Sequence, residues 1–203
     1  MPSGRLLLRV TVGSLMLGHG LQKLAGGFGG PGLQATRESM GTIGQHPAKH
    51  QGLAAALSET VGGGLTAAGL FSPLGPAMVT GAMLVAIKKV HAKNGVWVSQ
   101  GGYEYNATII AAALSLATSG PGILSLDGLL GRQRAGPRWG VLALALGAGG
   151  AAAALAVSDR MQRDRSPAAP VVVGPSDVVV EPAQERQASE TGPQRSTAEA
   201  GAA

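Results

Sequence analysis

Three long runs without a charged side chain constrain this chain more than any other feature of its sequence. Thr60–Ile87 contains no Asp, Glu, Lys or Arg across 28 residues, Tyr105–Leu126 contains none across 22, and Trp139–Ser158 contains none across 20. A helix of about 20 apolar residues is long enough to cross a bilayer. Charged residues make up 13% of the chain, against about 25% in a typical soluble domain. The sequence therefore predicts an all-α membrane protein.

The first of these runs is too long for a single span. In a helix, 28 residues would measure about 42 Å, whereas the bilayer core is about 30 Å thick. The run also contains Ser72-Pro-Leu-Gly-Pro76, a strong helix breaker. We therefore predict two helices near Gly52–Phe71 and Gly75–His91, joined by a tight turn. Leu6–Leu24 adds a helix before them.

The two later runs predict one helix each, and the second of these ends the membrane region. The helix in Tyr105–Leu126 is expected to end near Gly120-Pro-Gly122, and Trp139–Ser158 forms a fifth helix. The predicted fold is thus a four-helix transmembrane bundle with a fifth C-terminal helix and a disordered tail. The predicted divisions are a four-helix membrane domain at 1–128, a loop and fifth transmembrane helix at 129–158, and the tail at 159–203, which is rich in Pro, Ala, Gln and Glu.

The segments outside the spans are polar or rich in glycine. Ala25–Gln51 is too polar to cross a membrane, and we predict a loop with a short interfacial helix around Leu33–Thr42. Its glycine run lacks the Gly-Lys-Ser/Thr ending of a phosphate-binding loop. Arg5 and Arg9 before an apolar stretch also resemble a signal peptide, but the stretch leads into polar residues unlike a cleavage site, so we expect a retained helix.

Two features of composition exclude whole classes of chemistry. The chain contains no cysteine, which excludes disulfides, Cys-bound iron–sulfur clusters and Cys-bound zinc. The formal net charge is +5, but the basic residues flank the apolar runs and form no dense patch with aromatic residues. We therefore interpret the positive charge as flanking a membrane, and we expect no nucleic acid as partner.

Polar side chains within or beside the predicted spans are candidates for function, because they are costly in a bilayer. His19 and Lys23 are four residues apart on the first helix and share a face with Gln22. Glu59 lies about seven residues into the second predicted helix, where a carboxylate needs a partner or a proton. His19, Lys23 and Lys88 are its possible partners. The end of the third helix and the start of the fourth add Lys88, His91, Tyr103, Glu104, Tyr105 and Asn106.

These ten residues, which we call the polar rim, are predicted to lie on one side of the membrane because successive helices alternate in direction. Each also has a structural explanation: Lys23 can extend to the headgroups, Glu59 can form a register-fixing ion pair, and the aromatic residues can form an interfacial belt. The convergence of all ten favours a functional site. The opposite side offers prolines, glycines and arginines, and no comparable set is expected there.

The sequence resembles the DoxX family of small four-helix membrane proteins from about Leu6 to Gly128. The motifs that carry the resemblance are His19-Gly-Leu-Gln-Lys-Leu24, Glu59-Thr-Val-Gly-Gly63, Val90-His91 with Gly95, Gly101-Gly-Tyr-Glu-Tyr-Asn106, and Gly120-Pro-Gly122 followed by Ser125-Leu-Asp127. The Gly-Gly-Tyr-Glu-Tyr motif is the most specific. The family commonly has phenylalanine where Val96 or Trp97 stands. The resemblance implies a four-helix membrane bundle and membrane-linked redox work, sometimes beside a thiosulfate:quinone oxidoreductase subunit or in an oxidative-stress complex.

The first functional hypothesis is a quinone-linked redox subunit in the plasma membrane of a bacterium. In it the candidate catalytic residues are His19, Lys23, Glu59, His91 and Glu104, and the candidate substrate-binding residues are Gln22, Lys88, Tyr103, Tyr105 and Asn106. Quinone is the cofactor that this hypothesis implies. Without cysteine or a flavin motif, the electrons come from a redox partner protein.

Two alternatives come from other classes of function. The chain can be a non-catalytic membrane scaffold that recruits a soluble redox enzyme through the Gly-rich loop and the tail. It can also line a pathway for a small solute or protons. Haem or a metal bound by His19 and His91 is disfavoured, because two histidines without carboxylates make a poor ligand set, and no metal site is predicted.

Overall fold

The computed structural model describes residues 2–165, and every regular element within this part of the chain is helical. The main helices are α1 (Pro2–Ala25), α2 (Gly32–Thr42), α3 (Ala48–Ala68), α4 (Leu74–Ala86), α5 (Glu104–Ser119), α6 (Leu126–Leu129) and α7 (Pro137–Arg165). This confirms the predicted all-α class. The short helix predicted around Leu33–Thr42 is also confirmed, as α2.

Helices α1 and α3 pack closely in antiparallel directions because glycines stand where the two backbones meet. A side chain on Gly13 would collide with Ala67, and one on Gly20 would collide with Thr60. From the other helix, Gly63 lies directly against the backbone of α1 at Leu17. Small residues at helix contacts are typical of membrane proteins, where close backbone approach replaces the hydrophobic effect as the source of packing energy.

The predicted turn between the second and third spans is present between α3 and α4. Helix α3 ends at Ala68 and is capped by Gly69, whose φ of 62° lies in the left-handed region that glycine adopts readily. Helix α4 begins at Leu74 and is α-helical only to Ala86. The remaining five residues of the predicted helix, Ile87–His91, form a π-helical turn. Turns of this kind are rare and are often found at functional sites.

A small apolar core joins α1, α4 and α5. It consists of five buried side chains: Met16, Val79, Met83, Ile109 and Ala113. Helix α5 stops at Gly120, as predicted, where φ is 78°. The core therefore fixes the position of the three helices that carry most of the polar rim.

Helix α7 packs against α4 and α5 within the same compact unit. Gly147 permits the approach, since a side chain there would collide with Ala77 of α4. Within the described residues, α7 is the one helix both long and apolar enough to cross a membrane, with a mean hydropathy of 2.0 over 18 residues. Helices α4 and α5 are only 13 and 16 residues long.

The prediction that the tail begins at residue 159 is wrong at its first seven residues, because α7 continues to Arg165. Contacts with neighbouring segments explain the extension. The Ser158 hydroxyl donates to the Gly44 carbonyl at 2.8 Å and accepts from the His46 amide at 3.0 Å. Lys89 pairs with Asp159 at 3.3 Å between Nζ and Oδ1. The rest of the predicted tail, 166–203, lies outside the described residues.

Candidate functional site

The centre of the candidate site is an ion pair between α1 and α3. Lys23 stands in the last turn of α1, and its Nζ pairs with Oε2 of Glu59. The Glu59 side chain is 8% exposed and that of Lys23 is 30% exposed. Helix α3 begins at Ala48, four residues earlier than predicted, so Glu59 is its twelfth residue. It nevertheless reaches the end of α1, because the antiparallel contact places residues 20 and 60 together.

Burial makes this pair energetically sensitive. A carboxylate without a counter-charge is strongly disfavoured in a medium of low dielectric constant, and Lys23 removes that penalty. One oxygen of Glu59 accepts from Lys23, and the lysine ammonium carries three donors in all. The ammonium can therefore pair with Glu59 and still donate hydrogen bonds to a further oxygen atom.

His19 and Gln22 lie beside the ion pair on α1. Nδ1 of His19 is 3.2 Å from Oε1 of Gln22, and the His19 side chain is exposed. Since an amide oxygen is an acceptor, Nδ1 carries the proton and Nε2 of the neutral ring is an acceptor. A neutral His19 therefore accepts a hydrogen bond at its free nitrogen, and only the protonated ring donates there. The structure thus brings together His19, Gln22, Lys23 and Glu59.

A second group is organised around the loop between α4 and α5. His91 lies with Nδ1 2.8 Å from the Gly101 carbonyl, to which Asn94 also donates at 3.2 Å. The backbone amide of Glu104 donates to the Val96 carbonyl at 2.9 Å and so fixes the start of α5. These bonds hold the loop against the π-helical turn. The ring of His91 is oriented by backbone and not by another rim side chain.

The remaining rim residues are divided between core and surface. Asn106 is 5% exposed and donates to the sulfur of Met83 at 3.4 Å, so its amide lies inside the bundle. Tyr105 is 48% exposed, Lys88 is exposed, and Tyr103 is half-buried. Among the residues described, no hydrogen bond or ion pair joins this second group to the Lys23–Glu59 pair. The residues of the polar rim therefore fall into two separate groups, one at the Lys23–Glu59 pair and one at the loop between α4 and α5.

The opposite end of the bundle contains a polar cluster that the sequence analysis did not expect. Arg9 is only 5% exposed, and its two terminal nitrogens donate to the carbonyls of Pro121 and Leu124 at 2.7 and 2.6 Å. Asp127 is fully buried, and its Oδ2 accepts from the Ser72 amide at 2.9 Å. The expectation of no comparable set on this side is wrong. An arginine inside an apolar run was the signal that could have revealed it.

Among the described residues, no group of three or more His, Asp or Glu side chains is placed so that it could hold a metal ion. Glycine-packed helices, an apolar outer helix, a buried ion pair and a buried arginine that donates to carbonyls are typical of a helical membrane protein.

The DoxX family model matches residues 4–92, and this part of the chain is similar to the DoxX family. The match includes α1 to α4 with Lys23, Glu59 and His91, and it ends before the Gly-Gly-Tyr-Glu-Tyr motif. No curated protein and no solved structure matches the chain. This similarity indicates an integral membrane protein in contact with the lipid bilayer.

Proposed function

We propose that this chain is a quinone-linked redox subunit of the bacterial plasma membrane, with its site at Lys23 and Glu59. The observation that carries the proposal is the ion pair between these residues in the helical bundle of a membrane protein. Ionisable side chains in such positions are expensive and are commonly retained for function. Lys23 lies in the last turn of α1 and is 30% exposed, so a molecule dissolved in the membrane can reach the pair.

The residues around the pair fit the needs of a quinone headgroup. A bound quinone supplies two-electron, two-proton chemistry to the site. The Lys23 ammonium donates to a carbonyl oxygen and stabilises negative charge that develops there. Glu59 holds or releases a proton, and Nε2 of His19 accepts a hydrogen bond from a hydroxyl in the reduced form. Because Lys23 is 30% exposed, the headgroup approaches from the side and needs no deep cavity.

The electrons in this proposal come from a partner protein. The chain contains no cysteine to serve as a thiol donor or to hold an iron–sulfur cluster. His91 and Glu104 belong to the second group of contacts, and their part in the proposal is to shape the surface on which the partner or the quinone tail rests. Lys88, Tyr103, Tyr105 and Asn106 complete that group.

Extraction of lipid-soluble cofactors from protein purified in mild detergent tests the proposal. We expect stoichiometric quinone in the wild type and a severalfold lower content in His19→Ala and Glu59→Gln. Glu38→Gln is the matched control, because Glu38 is an exposed glutamate of α2. Absence of quinone from the wild type, or equal loss in the control, would count against the proposal.

A scaffold is the second candidate, and one exposed loop favours it. Val96, Trp97 and Val98 are 42%, 64% and 56% exposed between α4 and α5. An exposed apolar segment of this kind can serve as a docking point for a soluble enzyme. If the scaffold is correct, Trp97→Ser removes captured partner proteins from the purified complex and leaves quinone content unchanged. A proton or solute pathway, the third alternative, is separated from both by flux into liposomes that contain the purified protein.

A further inference from the structure

The end of the bundle opposite the Lys23–Glu59 pair carries an excess of positive charge. Arg5 and Arg9 lie four residues apart on α1, and Arg134 reaches the α3–α4 turn, where it donates to the Ser72 carbonyl at 3.3 Å. The one carboxylate described there, Asp127, accepts from the Ser72 amide. Within the described part of the chain, neither Arg5 nor Arg9 forms an ion pair with a carboxylate.

Arg9 is the most constrained of these arginines. It is only 5% exposed, and its two terminal nitrogens donate to loop carbonyls. Its third nitrogen, Nε, has no hydrogen-bond partner among the described residues. Carbonyl dipoles solvate a guanidinium but do not neutralise it, and a buried charge in a membrane protein normally has a counter-charge. Within the described residues, Arg9 therefore lacks a paired negative charge.

A shallow cleft lies beside Arg9. Arg5, Leu6 and Arg9 line it from α1, and the loop from Pro121 to Leu124 lines it from the other side. Arg5 donates to the Ser119 carbonyl at 2.6 Å through one terminal nitrogen, and its guanidinium lies over Gly122. A β-carbon added at Gly122 would lie 3.0 Å from Nε of Arg5. Glycine at this position therefore leaves space for the Arg5 guanidinium beside the cleft.

The surface around the cleft is apolar and outward-facing. Ile123 is 69% exposed and Leu124 is 67% exposed next to the arginines, and Leu129 of the adjoining helix α6 is 80% exposed. Exposed aliphatic side chains beside buried cations are suited to acyl chains below a charged headgroup. A soluble anion would gain nothing from these side chains, whereas a phospholipid contacts both kinds of surface.

We propose that the cleft between Arg5, Arg9 and the loop at Pro121–Leu124 binds the phosphate of an acidic membrane phospholipid. The phosphodiester lies beside the two guanidinium groups and is held by their positive charge. The acyl chains lie against Ile123 and Leu124. Two arginines recognise phosphate well because their planar groups match its oxygens. This site is separate from the redox proposal and does not depend on it.

Binding of phosphatidylglycerol to the detergent-purified full chain tests the inference. Native mass spectrometry gives bound lipid, and the melting temperature at increasing lipid gives the affinity. Phosphatidylcholine at equal concentration tests headgroup charge, and inorganic phosphate tests a soluble source. Arg5→Gln is the principal variant, because Arg5 is half-buried and donates one hydrogen bond to the backbone, whereas loss of Arg9 can prevent folding. Arg132→Gln is the matched control, an exposed arginine outside the cleft.

We expect phosphatidylglycerol to bind and to raise the melting temperature more than phosphatidylcholine does. Arg5→Gln should weaken phosphatidylglycerol binding about fivefold, in line with the attraction of one basic residue to an anionic lipid surface. Arg132→Gln should bind as the wild type does. Equal binding of both lipids, unchanged binding by Arg5→Gln, or the same loss in both variants would overturn the inference. Inorganic phosphate that stabilises as strongly as the lipid would overturn the lipid assignment.

Discussion

At the scale of single residues, the proposed quinone site depends on Lys23 and Glu59. Glu59 is 8% exposed on its side chain, and its charge is balanced by one lysine of another helix. Removing one member leaves the other without its partner, which is generally far more damaging than removing both. The sequence indicated each residue as unusual, and it named Lys23 among three possible partners for Glu59. It could not choose among them, because the choice depends on how far α1 and α3 slide past each other.

The ion pair predicts a difference between single and double substitutions. Glu59→Gln should lower the free energy of unfolding by about 2–3 kcal/mol, somewhat less than for a fully buried pair because Lys23 is partly exposed. The double variant Lys23→Met with Glu59→Leu should lie within about 1 kcal/mol of the wild type, since apolar pairs of similar volume replace buried ion pairs well. Denaturation of the protein in detergent micelles measures both. A double variant as unstable as the single one would contradict the pairing.

At the scale of the helices, glycine spacing decides how α1 and α3 meet. Gly63 lies against the α1 backbone, whereas its neighbour Gly64 has only the end of the Leu17 side chain near it, at 4.0 Å. The sequence shows both as members of one Gly-Gly-Gly run, and nothing in the run itself distinguishes them. Only the contact does so, because one faces the neighbouring helix and the other does not.

This difference makes the two glycines a matched pair for a packing test. Gly63→Ala should destabilise the bundle by about 1–3 kcal/mol, because the added methyl group forces the two backbones apart. Gly64→Ala should be neutral or stabilising by up to about 1 kcal/mol, because alanine has the higher helix propensity and space is present. Melting temperatures in one detergent compare the two variants. Equal effects at both positions would show that the close α1–α3 contact is not what stabilises the fold.

At the scale of the whole molecule, uncharged runs and helix breakers were enough to predict the arrangement of helices. The turn at residues 69–73 and the end of α5 follow from proline and glycine, whose backbone constraints act locally. The extension of α7 to Arg165 could not be foreseen, because Asp159–Arg165 is polar and is held by distant partners such as Lys89 and Gly44. Local composition carries no information about such contacts.

The polar rim shows the same limit at the level of function. The structure pairs Lys23 of α1 with Glu59 of α3, and on α1 it pairs His19 with Gln22. Side-chain direction then separates Asn106, which is inside the bundle, from Tyr105, which is on its surface. Adjacent residues of a helix point about 100° apart, and the sequence does not state which one faces the core.

The central claim is that Lys23 and Glu59 serve the quinone chemistry and do not only hold α1 against α3. The most direct measurement is the quinone content of the double variant Lys23→Met with Glu59→Leu, beside wild type purified in the same mild detergent. We predict that the double variant folds, that its melting temperature lies within a few degrees of the wild-type value, and that it contains no quinone. A folded double variant that retains stoichiometric quinone would contradict a role of Lys23 and Glu59 in quinone binding, and the ion pair would then be structural only.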